Sequence, residues 1–527
     1  MIVPLTPVRF LHRAMDLYGN KAAIVSGEQT YTYSEFGERC QRLATALECL
    51  GVEPGDRVAY LSFNNHQLLE GYFGVLQARA VVMPLNVRLA PAELRAILNH
   101  SGARVLMYEG DFAPLVEKFR PACPSIEKTV GIGDAAGADL SYEELLHEGR
   151  PERADVMTFD ENATAELFYT SGSTGLPKGV ELSHRTIALH ALNVAACLAM
   201  DDSTVELHTI PLFHANGWGR PQIATLLGAK QVMVRRFEPI TALKLIEQHR
   251  ATDMSLVPTM AGALLQVPNL REHDVSSLRL IHIGGAASSP RLIEKMEKAF
   301  GCRVVAGYGL TETSPVISTG RIKAGMRLAS DAERWNRQAM AGLPVPGVEV
   351  RVVDHRLADV ARDMKTMGEI VVRGDQVMDA YYKDAEATRV SVENGWLHTG
   401  DMAVWDTEGY IHIVDRKKDI IVSGGENISS LEVERAIVSH DDVIECAVVS
   451  APDEKWGEVP AAIVVRRPGS GLTREAIEEH AAQQIARFKL PRIIEIVDEP
   501  LPKTGTGKIR KLDLRERYWQ GKDRRVS

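Results

Sequence analysis

One stretch of twelve residues, Tyr169-Thr-Ser-Gly-Ser-Thr-Gly-Leu-Pro-Lys-Gly-Val180, constrains this chain more than any other. Three glycines, one lysine and the hydroxyls of Thr170, Ser171, Ser173 and Thr174 sit between two structured segments. The first is an apolar approach, Ala165-Glu-Leu-Phe-Tyr169, which reads as a short buried strand. The second turns helical near Ser183. A loop this small-sided cannot fill a core, and it is too polar to be buried dry. Gly172 and Gly175 let backbone N–H groups turn toward one point, the hydroxyls donate to oxyanions, and Lys178 adds a mobile positive charge, so the loop suits a polyphosphate. A flexible Ser/Gly linker would have the same composition. The spacing excludes a Walker A loop, whose lysine precedes Ser or Thr; Lys178 precedes Gly179.

The rest of the chain supplies the scaffold. Residues 31–36 lead from a strand into a helix, with Ser34 as its cap and apolar positions at Phe36, Leu43, Leu47 and Leu50; the helix stops at Gly51. Residues 57–62 read as a buried strand, 68–80 as a helix and 81–85 as a strand. Residues 278–283 form a strand running into Gly284-Gly285-Ala286, Ser289-Pro290 opens a helix, and the strand over 303–306 ends at Gly307-Tyr-Gly309. Helix–strand alternation at this spacing argues for a doubly wound α/β sheet. Ligands bind where such strands end, so two glycine-bearing strand ends in one region mark a crevice. Residues 318–340 read as a charged, irregular surface loop.

From about residue 345 the pattern changes to short β segments, read as a β subdomain reaching 415. The charged run Asp415-Arg-Lys-Lys-Asp419 reads as a hinge. A compact α+β unit of about 110 residues follows and ends in a basic tail that reads as a solvated helix end. The expected fold class is therefore α/β, with a large N-terminal domain over 1–415 and a small C-terminal domain over 416–527.

Composition bounds the function. A chain of 527 residues implies more than one domain, and 45% hydrophobic with 25% charged residues is ordinary for soluble globular protein. The net charge of −9 gives no case for nucleic acid as a partner. Cys40, Cys49, Cys123, Cys197, Cys302 and Cys446 are scattered without a Cys-x-x-Cys pair, as expected of reduced thiols in a cytoplasmic protein. Pro4 and Pro7 break the apolar N-terminus, which lacks a basic start, so no signal peptide is expected. No run is long and apolar enough for a transmembrane segment.

Four further stretches carry chemistry. Tyr308-Gly-Leu-Thr-Glu-Thr313 follows a strand and can place a ring on a base, a hydroxyl on a phosphate and a carboxylate on Mg2+. A cap followed by a helix start would look the same. Trp396-Leu-His-Thr-Gly-Asp401 ends in an Asp after Gly, a pattern shared with ordinary turns. Ser423-Gly-Gly-Glu-Asn427 follows an apolar segment, and Pro502-Lys-Thr-Gly-Thr-Gly-Lys508 can carry a lysine on an exposed loop. In this order, with the loop at 169–180, the motifs resemble the adenylate-forming (AMP-binding) superfamily, and within it the acyl-CoA synthetase branch. The resemblance covers nearly the whole chain.

The resemblance implies ATP, Mg2+ and coenzyme A. By it, Thr170, Ser171, Gly172, Ser173, Thr174, Gly175 and Lys178 hold phosphates. Gly284, Gly285 and Ala286 approach the adenine edge, Tyr308 packs on adenine beside Gly309, Thr311 meets the α-phosphate, and Glu312 holds Mg2+. Asp401 and Arg416 take the ribose, Lys418 is the hinge about which the small domain moves, and Lys508 is the catalytic lysine of adenylation. Gly424, Gly425 and Glu426 form the loop that swings in for thioester formation. Val422 stands where some members carry a lysine, which fits CoA ligases and weakens a luciferase reading. His214, in Pro211-Leu-Phe-His-Ala-Asn-Gly-Trp-Gly219, lies between the acyl and thiol paths. An amino-acid-activating member would carry an Asp near the start of that region, so an apolar carboxylic acid is favoured. Trp218, Val257, Met260 and Gly309 line the acyl pocket. The expected enzyme is an AMP-forming acid–CoA ligase for a medium- to long-chain fatty acid. The alternatives are an aryl or phenylpropenoic acid–CoA ligase and a stand-alone adenylating enzyme that loads a carrier protein. The expected partner is a small carboxylic acid, and a homodimer is left open.

Overall fold

The computed structural model describes residues 2–170, 177–424, 426–503 and 509–520. The chain divides into two compact units, one taking the chain to Val350 with Val372–Leu397, the other Arg351–Val371 with the chain from His398.

The first unit is built on two large sheets. In one, the strands Arg303–Gly309, Leu280–Ile283, Asp253–Leu256 and Val205–His208 lie side by side and parallel, and Lys230–Met233 and Ala22–Ser26 continue the parallel run. Successive strand residues point to opposite faces. Ile281, Ile283 and Val304 pack with Leu243, Ile246, Ile293 and Met296 of the helices Pro239–His249 and Pro290–Phe300. Their strand neighbours Leu280 and Val305 pack instead with Ala188, Ala191, Val194 and Ile223 of the helices His184–Leu198 and Arg220–Leu227. Helices cover both faces, which is why most residues of the four central strands are buried, polar ones such as Glu206, Asp253 and His282 included. The second sheet runs parallel from Thr164–Thr170 through Val81–Pro84, Arg57–Leu61 and Val105–Glu109 to Lys128–Ile132 and Leu140–Ser141. Lys178–Ser183 and then Ala380–Tyr381 extend its other edge antiparallel. The doubly wound architecture is thus as the sequence predicts.

Two local expectations are corrected. The helix Tyr33–Cys49 is capped by Thr32, whose side chain accepts the Glu35 N–H while Glu35 reaches back to Thr32 N–H; Ser34 already lies inside the helix. Residues 318–340 are not an irregular loop throughout. They contain the helix Asp331–Gln338, capped by Ser330 and held by Glu297, which takes Arg334 Nη1 at 2.6 Å and Trp335 Nε1 at 2.9 Å. A short helix held by ion pairs reads as a charged loop because few of its residues are apolar.

In the second unit, Val443–Asp453 and Gly457–Arg466 form a long antiparallel hairpin, joined by Ile421–Ser423 and, in parallel, by Ile493–Val497. Helix Ser430–Val438 covers one face through Val433 and Ile437, against Val448 and Val464. Helix Lys511–Trp519 covers the other through Leu514. That helix belongs to the basic tail, and one of its cations is not solvated: Lys511 Nζ lies 2.8 Å from Glu434 Oε1 and 2.6 Å from Ser430 Oγ. The six cysteines of the chain are free thiols, with Cys40, Cys123, Cys302 and Cys446 buried. Among the described residues, no helix is long and apolar enough to cross a membrane.

Candidate active site

Four parallel strands that lie side by side necessarily end at one edge of their sheet. The segments leaving Val205–His208, Asp253–Leu256, Leu280–Ile283 and Arg303–Gly309 carry His214 and Trp218, Val257 and Met260, Gly284 to Ala286, and Thr311 with Glu312, respectively. Residues spread over a hundred positions of sequence are gathered there by strand order alone.

One side of this edge is apolar. Trp218 packs with Ile210, Ala215, Val257 and Met260. The glycines beneath it are required by close approach: a Cβ at Gly284 would lie 3.1 Å from Trp218 Cη2 and 3.0 Å from Gly307 O. At Gly285, with φ +77°, it would lie 3.2 Å from Val257 Cγ1. Gly309 is needed for a different contact, since an added Cβ would overlap the Pro315 carbonyl oxygen. The indole reaches its place on an unusual turn. After His214, the residues Ala215, Asn216, Gly217, Trp218 and Gly219 take φ of 44, 43, 57, 63 and 72°. A left-handed run costs roughly 1–2 kcal/mol for each residue with a Cβ, so the turn persists only if its surroundings hold it. Asn64 does part of this: its Oδ1 accepts Leu212 N–H at 2.7 Å and its Nδ2 donates to Ile210 O at 2.9 Å. Tyr72 Oη donates to Leu212 O at 2.6 Å.

The other side is polar. Glu312 stands in the turn Thr311–Thr313, where Tyr381 Oη donates to its Oε1 at 2.9 Å and Met378 N–H donates to its backbone oxygen at 2.7 Å. Tyr381 arrives through sheet register, paired with Val180, and its ring lies 4.9 Å from Lys178 Nζ. Burial, reinforced by the Glu312 carboxylate, pushes the Tyr381 phenol far above its usual range, so it stays a hydrogen-bond donor. Gln376, fully buried, holds the segment after Glu312 by donating from Nε2 to Thr313 O at 3.2 Å and Val316 O at 2.7 Å. Tyr308, Thr311, Glu312 and Lys178 are all partly exposed. Among the described residues, no three His, Cys, Asp or Glu side chains converge as a metal cage. A single carboxylate at an open edge fits Mg2+ carried in on substrate phosphates.

The second unit brings together another pair. Asp401 and Arg416 face each other in register on antiparallel strands, and Arg416 Nε lies 2.7 Å from Asp401 Oδ1. Glu369 fixes the turn before Asp401: it accepts Gly400 N–H at 3.1 Å and meets His398 Nδ1 at 3.1 Å and Lys417 Nζ at 3.0 Å. Lys418 lies in the short turn Lys417–Asp419, and Arg515 Nη1 donates to its carbonyl at 2.9 Å. Gly424, at φ +59°, joins Ile421–Ser423 to Glu426–Ile428 under the Trp456 ring, which a Cβ would meet at 2.5 Å; Glu426 is exposed. Ser171, Gly172, Ser173, Thr174, Gly175, Gly425 and Lys508 lie outside the described residues.

Glu166, Tyr381, Gln376, Asn64 and Glu369 have no functional role in the sequence reading. For Glu166 a signal existed: an acid in the middle of an otherwise apolar strand. The others act through pairings distant in sequence, for which a single sequence carries no sign.

A strand end for a phosphate loop, an apolar pocket wall and a carboxylate–lysine corner, drawn from the two large sheets, are the features of a nucleotide-dependent enzyme that activates an organic acid. Residues 11–382 match the AMP-binding enzyme family, and residues 432–508 match the AMP-binding enzyme C-terminal domain. The chain belongs to the AMP-binding enzyme family. It is 40% identical to the long-chain-fatty-acid–CoA ligase of Thermus thermophilus over 97% of this chain and 95% of that one. It is 35% identical to the peroxisomal trans-cinnamate:CoA ligase of Petunia hybrida over 98% and 94%. Among solved structures, the anthranilate CoA ligase AuaEII in complex with anthranoyl-AMP superposes with a TM-score of 0.88 at 27% identity, covering 98% of both chains. The Mycobacterium tuberculosis fatty acyl CoA synthetase superposes at 0.76, with 30% identity over 98% and 99%.

Proposed function

We propose that the chain is an ATP-dependent, AMP-forming carboxylic acid–CoA ligase acting on an apolar, fatty acid. The observation that carries the substrate class is the apolar cluster of Ile210, Ala215, Trp218, Val257 and Met260, in which the Trp218 indole N–H is the one polar group. A carboxylate is a poor acylating agent because oxide would have to leave. Attack on the α-phosphorus of ATP makes an acyl-adenylate and releases pyrophosphate; a thiol then displaces AMP. In this reading Thr170 and Lys178 hold phosphate oxygens, Thr311 meets the α-phosphate, Tyr308 and Gly284 to Ala286 border the base, and Asp401 with Arg416 takes the ribose. Lys508 meets the charge that builds as the two anions join. Bound at Glu312, Mg2+ would neutralise phosphate charge. His214 and the loop with Gly424 and Glu426 serve the thiol step, after residues 416–527 move as a lid about Lys418. The six free thiols accord with a reducing cytoplasm.

A second reading, an aryl or phenylpropenoic acid, is favoured by one feature: the Trp218 indole, packed close to Gly284 and Gly285, offers an aromatic surface for a ring. Pyrophosphate release measured over a panel of fatty, aryl and phenylpropenoic acids, with and without CoA, separates the readings. Preference for fatty acids supports the proposal, and a higher kcat/KM for cinnamate-like acids replaces it. Acyl-AMP trapped as hydroxamate with no CoA ester formed would point to carrier loading.

The Glu312 corner makes its own prediction. Glu312→Gln keeps the Tyr381 contact but loses the charge, and it is expected to lower adenylation by about 100-fold and to raise the Mg2+ concentration needed for half-maximal rate. Tyr381→Phe removes only the donor and is expected to cost about tenfold or less. A magnesium titration of the pyrophosphate release rate reads both; an unchanged magnesium requirement in Glu312→Gln rules out its metal role.

A further inference from the structure

Glu166 has no place in the reaction described above, yet its setting is unusual. It is fully buried on the strand Thr164–Thr170, the strand that leads into the phosphate loop. Its carboxylate accepts Asn216 Nδ2–H at 2.9 Å and Gln222 Nε2–H at 2.8 Å. Both partners are neutral amides. Burial lifts its carboxyl to about 8, against the pull of those two hydrogen bonds. A buried carboxyl held this way is costly to a fold unless it does something an apolar residue could not.

What it touches suggests the task. Asn216 is the second residue of the left-handed run, and Gln222 lies in the helix Arg220–Leu227 that follows. Their other side-chain atoms, Asn216 Oδ1 and Gln222 Oε1, are buried without a partner. Glu166 is the side chain that both amides share, each donating an N–H to one of its two oxygens. The far end of the run is fixed separately. Gly219 sits so close to the His190 ring that a Cβ would lie 2.3 Å from Cε1, and His190 Nε2 accepts Val316 N–H at 3.1 Å. Burial drives His190 down to about 3, so it is neutral and can accept.

We propose that Glu166 is a positioning residue for the acyl pocket: through Asn216 and Gln222 it holds residues 215–219 in the left-handed conformation that places His214 and seats Trp218 over Gly284 and Gly285. It does so from the strand that carries Thr170, so the acid pocket and the entrance to the phosphate loop share one support. The inference rests on the reading that this cluster receives the acid.

Hydrogen exchange on residues 212–219 tests it without any substrate. Glu166→Ala is expected to speed exchange in that segment while leaving the helix Pro290–Phe300 protected. Unchanged protection of 212–219 overturns the proposal. In kinetics, Glu166→Ala is expected to raise the acid's KM about tenfold with the ATP KM changed by no more than about twofold. Glu166→Gln, whose amide can satisfy both neighbours once they rotate, recovers most of that loss. In an Asn216→Ala background, Glu166→Ala adds little, because the two act as one unit. Equal rises in both KM values, or fully additive losses, overturn the proposal. If Glu166→Ala does not fold, Gln222→Ala, in a regular helix, carries the same test with a smaller acid-selective rise. A wild-type enzyme that activates none of the acids would defeat the functional reading alone, since the exchange result stands apart from it.

Discussion

Lys508→Ala is expected to lower acyl-adenylate formation by about a thousandfold while leaving thioester formation from supplied acyl-AMP near the wild-type rate. The first half-reaction brings a carboxylate onto a polyphosphate. Both are anions, and charge grows on the α-phosphoryl oxygens as the bond forms. Lys178 and Glu312-bound Mg2+ would lie with the departing pyrophosphate, so a separate cation has to meet the α-phosphoryl group. The lysine in the Gly-Thr-Gly-Lys508 loop is that cation in the proposed reading. The second half-reaction expels AMP from an already activated acyl carbon and does not build the same charge. Isotope exchange between pyrophosphate and ATP measures the first step; CoA-ester formation from synthetic acyl-AMP measures the second. Equal loss of both removes Lys508 from its role. Lys508→Arg, which keeps the charge but broadens the head group, is expected to fall between wild type and alanine.

How much of this could be read from the chain depended on whether the signal was local. The phosphate loop, the Tyr308–Glu312 turn, Asp401 after its glycine and the cap at Ser289 are each contained in a few neighbouring residues, and the helix–strand alternation puts all but Asp401, which lies within the strand Trp396–Trp405, after a strand. The supports were not local. Tyr381 reaches Glu312 because Ala380–Tyr381 pairs with Lys178–Ser183, a register no propensity encodes. Gln376 and Asn64 hold backbone segments that are distant in sequence. Asn216 and Trp218 stood within a recognised motif, but the left-handed turn was hidden, since only two of its five residues are glycine. Thr32 took the cap expected of Ser34 because Glu35 lies three residues after Thr32 and completes the reciprocal pair. In the tail, Lys511 read as solvated because its partner, Glu434, lies on another helix. Residues proposed to do chemistry stand in local motifs, and residues that hold them in place mostly do not.

The second large effect is expected at the hinge. Lys418→Pro is expected to keep adenylation within about threefold of wild type and to reduce overall CoA-ester formation by about 100-fold. Lys418 lies in a short 3-10 turn, Lys417–Asp419, where helical φ values are already compatible with the −65° that proline imposes. One state of the hinge is therefore tolerated. A lid that serves two half-reactions needs a second backbone conformation at this point, and proline forbids most of them. Proline also pushes Lys417 away from the helical region, so part of any loss could come from disturbing the Lys417–Glu369 ion pair. Lys417→Ala is the control: if it reproduces the defect, the hinge assignment falls. The surroundings give a second handle. Arg515 donates to the Lys418 carbonyl, and Asp415 accepts N–H groups at the start of the helix Ser430–Val438, so the backbone on either side of the pivot is tied to the second unit. Rotation of residues 416–527 about Lys418 therefore requires the Asp415 contacts with the helix Ser430–Val438 to break. Full CoA-dependent turnover in Lys418→Pro would mean the rotation occurs elsewhere. Loss of adenylation together with turnover would mean the substitution had broken the 3-10 turn rather than locked it.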